Sequence, residues 1–349
     1  MRRARLFLLP FSLLYWIGVV VRNWFFDIGI LKTEKLSVPV ISIGNISAGG
    51  VGKTPLVELL IEKLKNGPQT AVVSRGYKRK TTGTVVVNDG HGKKVSSVKN
   101  SGDEAMQLAL KYPELVVVVD EDRVRGARKA VELGAKMILL DDGFQHRYLH
   151  RDLDIVVLPA EEILNGDLLL PAGNRREPVS SLIRADVIAV TRCADAKEYD
   201  RVCAVGRECN TLPAKTPTIG LNSNLDTFKR VSSNKMMNAE IFTGLGVTAF
   251  SGIGNPKSFE DLLKKANLNV VNHFAFSDHH WYKDKDIKVM RDARKNNNTD
   301  FIITTEKDAA RLSERFADFL ETEPVIIAGM RQEIISGEKK LNELLERVH

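Results

Sequence analysis

Val38-Pro39-Val40-Ile41-Ser42-Ile43-Gly44 runs straight into Asn45-Ile46-Ser47-Ala48-Gly49-Gly50-Val51-Gly52-Lys53-Thr54, and this junction decides the fold. The apolar run reads as a strand covered on both faces. The glycine-rich turn follows, and then a helix predicted over 54–65, with Pro55 in its first turn, where a missing N–H costs little. The pattern G-x-x-x-x-G-K-[ST] fits at every defined position but the first, where Ser47 stands for glycine. Successive N–H groups of such a turn surround phosphate oxygens, and the helix N-terminus adds positive potential. Ser47, Ala48, Gly49, Gly50, Val51, Gly52, Lys53 and Thr54 are therefore predicted to hold the phosphates of a nucleotide. Lys53 is expected to reach the β/γ-phosphates and Thr54 to meet Mg²⁺. The deviant phosphate loop of partitioning ATPases also ends in GGVGKT, but it carries a lysine before the glycine pair, where this chain has Ala48.

Outward from that junction, strand-like runs at 38–44, 70–76, 115–120, 136–142, 154–160 and 186–191 alternate with helix candidates at 54–65, 103–111 and 122–133. This is the signature of α/β layering. A polar insert at 81–99 reads as a hairpin. A second α/β group follows, with strand-like AEIFTGL (239–245), VTAFSGI (247–253), NVVNHFAF (269–276), FIITTE (301–306) and PVIIAG (324–329), and helices from Pro256 and around 283–296. Residues 210–235, rich in Asn, Ser, Thr and Pro, read as a connector. The predicted organisation is an apolar N-terminal segment (1–35), a P-loop domain with a mainly parallel sheet (36–215), and a smaller α/β domain with the connector (216–349).

The chain has 349 residues, 43% hydrophobic and 27% charged, which excludes a disordered chain and a polytopic membrane protein. Its net charge of +7 is unevenly spread. Residues 1–35 hold six basic residues (Arg2, Arg3, Arg5, Arg22, Lys32, Lys35) and two acidic ones, leaving 45 basic and 42 acidic elsewhere. DNA binding is disfavoured by so small an excess outside the N-terminus. That terminus is also apolar: LFLLPFSLLYWIGVVV (6–21) carries no charge, then Arg22, Trp24, Phe25 and Phe26 follow. The run is shorter than the roughly 20 apolar residues of a spanning helix and lacks a small-residue cleavage site. Interfacial aromatics and flanking arginines point to a membrane-surface helix, with a spanning anchor and a helix docked on the protein's own core as the alternatives. Cys193, Cys203 and Cys209 form neither a disulfide framework nor a zinc pattern.

Two strand candidates end in acid. MILLDD (137–142) matches the apolar-run-plus-Asp form of a Mg²⁺-linked strand and continues as Gly143-Phe144-Gln145-His146, while VVVVDED (116–122) competes with it. Strand C-termini are where open α/β sheets place ligands. Asp103 and Glu104 open a helix, where acids often only complement the dipole. Asp278-His279-His280 follows an apolar run without a third zinc ligand at clear spacing.

Taken in order, GN-x-x-AGG-x-GKTP (44–55), VSRGY (73–77), GDE (102–104), DDGFQH (141–146), LPAG…RE (170–177), GIGNP (252–256), DHH (278–280) and TEKDA (305–309) resemble the tetraacyldisaccharide 4'-kinase family, the lipid A disaccharide kinases. The likeness spans almost the whole chain. It implies ATP- and Mg²⁺-dependent phosphorylation of the 4'-hydroxyl of tetraacyldisaccharide 1-phosphate to lipid IVA. The setting it implies is the cytoplasmic face of the bacterial inner membrane, with no obligate protein partner. It implies Asp103 as the base and His279 as its support from the second domain, with Lys53 on the transferring phosphoryl group. Thr54, Asp141, Asp142 and Glu177 are then expected around Mg²⁺, and Glu104, Arg123, Gln145, His146 and Arg176 as phosphate or substrate contacts. Closure of two domains would assemble such a site and exclude water. The rival reading is a membrane-associated P-loop ATPase switch that controls a protein partner.

Overall fold

The computed structural model describes residues 6–92, 96–233 and 235–348. Arg2, Arg3 and Arg5 lie outside them. Among the described residues, thirteen strands join one sheet. Its first half comprises β1 (Val40–Gly44), β2 (Thr70–Ser74), β3 (Val85–Asp89), β4 (Val116–Val119), β5 (Met137–Asp141), β6 (Leu153–Pro159) and β7 (Val187–Thr191), in the spatial order β7-β6-β1-β5-β2-β4-β3. All these pairings are parallel except β3 on β4. The six strands expected from sequence are thus present, but the insert at 81–99 supplies one antiparallel edge strand and not a hairpin. The second half comprises β8 (Thr218–Arg230), β9 (Lys235–Met237), β10 (Gly246–Ser251), β11 (Asn269–Ala275), β12 (Phe301–Thr305) and β13 (Val325–Ser336).

Residues 210–235 are mostly strand, not connector. β8 pairs with β7 over three residues and with β13 along nearly its whole length, so pairing partners override its polar composition. Asn222 donates to the Ala194 carbonyl and Asn224 to Glu333 on the neighbouring strand, which satisfies the amides that had suggested a loop. AEIFTGL holds a 3-10 turn, Ala239–Phe242, in place of a strand. Glu240 and Ile241 are exposed and Phe242 is buried against Phe228 and Phe301, so no alternating pattern is required.

Helices cover both faces of the first half. Helix α1 spans Leu9–Asp27, α2 Lys53–Leu64, α3 Asp103–Lys111 and α4 Arg123–Glu132. Successive β1 residues point to opposite faces: Ile41 and Ile43 pack with Leu56 and Leu60 of α2 and Met106 of α3, whereas Val40 packs with Ala127 and Ala130 of α4. The final helix, Glu338–Glu346, inserts Leu341, Leu344 and Leu345 into that first cluster, so the end of the chain returns to the first lobe.

The sheet order places β1 where the connections change direction, between β5 and β6, the position at which open α/β sheets bind ligands. Gly44 is required there by a close approach. A Cβ at this position would lie 2.5 Å from the Phe144 Cβ and 2.6 Å from its backbone nitrogen.

Helix α1 is long and apolar enough to cross a membrane by length and composition, yet it lies against the protein with only Ser12 and Phe26 buried. Polar groups make the docking. Ser12 Oγ donates to the Leu169 carbonyl at 3.0 Å, Tyr15 to the Arg176 carbonyl at 2.9 Å, and Arg22 to the Gln145 carbonyl at 2.8 Å. The apolar side chains face outward, with Phe11 at 59% and Leu14 at 66% exposure. This inverts the burial of an ordinary amphipathic surface helix.

Candidate active site

The phosphate loop leaves β1 and enters α2 through Gly49 (φ 118°) and Gly52 (φ 96°), left-handed positions at which glycine is unstrained. Three consecutive carbonyls of the loop take donors from outside it. Arg192 donates to Gly50, Thr191 to Val51 at 3.0 Å, and Gln332 to Gly52 at 3.4 Å. Turning those carbonyls away suits the N–H groups of Gly49–Lys53 to an anion, whereas the Ala48 N–H donates to the Asn174 carbonyl at 2.7 Å. Ser47, in place of the usual glycine, hydrogen-bonds Glu162, which also pairs with Arg175 at 3.0 Å. The serine therefore anchors the loop to the short helix Ala160–Asn165.

Lys53 Nζ lies 3.0 Å from Asn45 Oδ1 and 3.2 Å from Asp142 Oδ1. Asp142 also pairs with Arg176 at 2.9 Å. Burial raises the Asp142 carboxyl, but Lys53 and Arg176 outweigh it and hold it at about 2. Asp141 behaves oppositely. Burial and the nearby Glu104 carboxylate push it up to about 7, and its Oδ1 is buried without a hydrogen-bond partner. The Thr54 hydroxyl is 3.5 Å from Glu104 Oε1.

The competing acidic strand end does other work. Asp120 is buried in a two-point pair with Arg125, at 2.8 and 2.7 Å, and Asp122 caps α4. Arg123 is buried, and its surroundings include Asp142, Arg75 and Asp141.

Across the cleft, Asp103 is buried at the start of α3, so it does more than complement a helix dipole. Its Oδ2 lies 2.9 Å from His279 Nδ1 and 3.3 Å from Arg311 Nε. Burial raises its carboxyl, but the His279 hydrogen bond and the charges of Lys307 and Arg311 bring it down to about 2. His279 sits at φ 61°, a left-handed value uncommon for a residue with a side chain, and its N–H donates to the Gly252 carbonyl. His280 is turned away: it bonds Asp286 at 2.8 Å and stacks on Phe276. The two histidines of DHH therefore divide: His279 bonds Asp103 across the lobes, and His280 bonds Asp286 within its own.

Three expected site residues have surroundings of their own. Glu177 accepts from Arg184 at 2.9 Å, Gln145 at 3.1 Å and Asn23 of α1 at 3.0 Å. With both oxygens accepting from protein donors, Glu177 ties helix α1 to the DDGFQH turn. Gln145 shares that knot and also donates to the Asn45 carbonyl at 2.8 Å, which makes it a brace of the phosphate loop. His146 lies beside Tyr148, and burial lowers its imidazole to about 4, so it is neutral at pH 7.

Asn45, Thr191, Arg192, Lys307 and Arg311 received no role from the sequence. Asn45 stood inside a quoted motif, and Lys307 and Arg311 share the i,i+4 spacing of one helix face. Their partners, however, are Glu104 and Asp103, on α3.

The model of the family described as tetraacyldisaccharide-1-P 4'-kinase matches residues 4–349. A tetraacyldisaccharide 4'-kinase of Chlorobium luteolum is 38% identical, covering 99% of this chain and 98% of its own. One of Porphyromonas gingivalis is 36% identical, covering 91% and 88%. The crystal structure of LpxK from Aquifex aeolicus in complex with ATP superposes with a TM-score of 0.80 at 34% identity, over 99% of both chains. The chain belongs to the tetraacyldisaccharide-1-P 4'-kinase family.

Proposed function

From that membership we propose that this chain is an ATP-dependent kinase that phosphorylates the 4'-hydroxyl of tetraacyldisaccharide 1-phosphate, giving lipid IVA in lipid A biosynthesis. The observation that carries the reading is that a braced phosphate loop shares one cleft with Glu104 and Lys307, next to the buried Asp103 held ionised by histidine and arginine. ATP lies with its phosphates on Gly49–Thr54. Leu225, Ile253, Phe259 and Met330 line the same cleft and offer the adenine an apolar slot.

The 4'-oxygen attacks the γ-phosphorus, the bond from phosphorus to the β,γ-bridging oxygen breaks, and ADP leaves with that electron pair. The hydroxyl proton passes to Asp103. A carboxylate at about 2 is a weak base, which suits a loose transition state in which little proton transfer has occurred; its main work is to aim the hydroxyl. His279 positions that carboxylate, and Lys53 neutralises charge on the β/γ-phosphates.

The residues present fit Mg²⁺. The buried Asp141 Oδ1 lacks a partner, and the Thr54 hydroxyl and Asp142 are nearby. No cluster of three His, Cys, Asp or Glu residues with ligand geometry forms among the described residues. Mg²⁺ usually takes one or two carboxylates together with substrate phosphates. Thr54 and Asp141, with Asp142 behind them, would hold the ion, which supplies charge neutralisation to the phosphates.

Residues 36–215, with the helix Glu338–Glu346 packed on them, act as one lobe and the rest of 216–349 as the other, and the two close over the nucleotide and exclude water. Helix α1 lies on the cytoplasmic face of the inner membrane with its outward apolar side in lipid. Its polar contacts run to the LPAG…RE and DDGFQH loops beside the site, which brings a lipid-borne sugar to the cleft.

The deciding experiment is transfer of radiolabelled phosphate from ATP to tetraacyldisaccharide 1-phosphate in detergent micelles. The expected product is the 4'-phosphorylated lipid. ATP turnover without labelled lipid, rising with a protein partner, would instead support the ATPase-switch reading. For the membrane assignment, Leu14→Glu is expected to weaken binding to anionic vesicles about tenfold without changing Tm.

A further inference from the structure

The TEKDA segment was left without a role by the residues expected to do the chemistry, and its lysine stands in the cleft. The helix Glu306–Leu312 lies in the C-terminal lobe, directly after β12. It is fastened on three sides. Thr305 caps it at Asp308, whose carboxylate accepts the Gly252 N–H at 3.1 Å and the Tyr282 hydroxyl at 2.7 Å. Arg311 donates to the Gly252 carbonyl at 2.9 Å and the His280 carbonyl at 3.2 Å, beside its approach to Asp103. The direction in which Lys307 projects is set by this framework.

Lys307 lines the same cleft as Gly49–Thr54, and its ammonium pairs with Glu104. Among the described residues lining that cleft, Lys53 and Arg192 are the cations of the first lobe and Lys307 is the cation of the second. Its place is specific. Glu104 is also within 3.5 Å of the Thr54 hydroxyl, at the phosphate end of the loop, and is next in sequence to Asp103, the base. Lys307 therefore flanks the interval between donor and acceptor. Asp103, Glu104 and Asp141 all lie close enough to hold it protonated, against a burial that opposes the charge.

We propose that Lys307 is a second phosphoryl-contacting lysine, supplied by the C-terminal lobe, which stabilises charge on the γ-phosphoryl oxygens as that group passes from ADP to the sugar oxygen. The assignment rests on the kinase reading above. Charge in a loose transition state is spread over the equatorial oxygens, and a fixed cation beside the path interacts with them more strongly than in the ground state. Glu104 aims the ammonium at the cleft and passes it to phosphate when the triphosphate is bound. Because Lys307 comes from the second lobe, lobe closure and phosphoryl stabilisation become one event.

The test uses full-length protein in micelles, with nucleotide affinity measured separately without lipid. Lys307→Met is expected to lower kcat about 10²–10³-fold while leaving the KM for the lipid within about threefold. It is expected to weaken ATP about tenfold and ADP less than about twofold, because only ATP presents the γ-phosphate. Lys307→Arg, which keeps the charge, is expected to retain at least about a tenth of the turnover and covers the case in which the methionine variant does not fold. Equal losses for ATP and ADP, or near-normal turnover in a folded Lys307→Met variant, would overturn the proposal. Recovery of turnover in Lys307→Met/Glu104→Gln would overturn it as well, by reducing Lys307 to a neutraliser of Glu104. If the unaltered protein phosphorylates no lipid, the kinase reading fails, and the ATP-to-ADP comparison still reads Lys307 by itself.

Discussion

The two sides of the cleft are built in opposite ways. The phosphate loop is one continuous stretch between β1 and α2, and its outside support comes from the strand ends at Thr191 and Arg192 and from Gln332. The base side has no continuous stretch. Asp103 is 176 residues from His279, and Glu104 is 203 residues from Lys307. The loop is preorganised mainly by its own glycines and by Thr191 and Arg192 of the first lobe, with Gln332 as a brace from the second. The proposed base is instead assembled from two lobes and exists only when they are together. Binding of the phosphates and commitment to transfer are thereby separable in this architecture.

The largest test of that separation is Asp103→Ala. It is expected to lower kcat about 10²–10⁴-fold while ATP affinity stays within about twofold. A parallel collapse of ATP binding, read by calorimetry, would show the two sides to be one unit.

His279→Ala comes next, with a loss of turnover of about 10–100-fold and ATP affinity again retained. It carries a pH signature. The folded-state carboxyl of Asp103, at about 2, lies below its ordinary 3.8. Its contribution to stability is therefore present above that ordinary value and is lost as pH falls through about 2. Removing the imidazole hydrogen bond raises the carboxyl, so the acid limb of the kcat profile moves to higher pH. An unmoved limb would separate His279 from the base.

On the loop side the expected pattern reverses. Thr191→Val removes the donor to the buried Val51 carbonyl and leaves that acceptor unpaired, at a cost of about 1–3 kcal/mol. ATP affinity should fall about 3–10-fold with kcat at saturating ATP nearly unchanged. A loss confined to kcat would contradict the loop's independence.

The smallest effect is expected from Ser47→Gly. This change restores the usual glycine but removes the bond to Glu162, so stability falls by about 1 kcal/mol and ATP affinity changes less than about twofold. A marked gain in ATP affinity would mean that Ser47 is a defect of the loop and not its anchor.

Legibility in the sequence follows the same division. The six parallel strands of the first half were readable because continuous apolar runs have few alternatives, and the glycine-rich loop was readable because its conformation is written in adjacent residues. The residues 210–235 were misread because composition reports solvent exposure, whereas β8 exists through its pairing with β13. The partners of Glu177 were hidden for a related reason: nothing near it in sequence announces Arg184, Gln145 and Asn23.

By itself the sequence determined that a glycine-rich phosphate-loop pattern follows β1, that acids stand at the end of β5, and that residues 6–21 are apolar. Each of these depends on interactions within a few residues. Only the tertiary structure decided which acid is relieved of a partner and which is paired, since Asp141 and Asp142 are neighbours driven to about 7 and about 2 by different surroundings. It also decided that the polar side of α1 faces inward, and that Lys307 and Arg311 meet Glu104 and Asp103. Burial and charge partnership act through space, and no spacing along the chain encodes them.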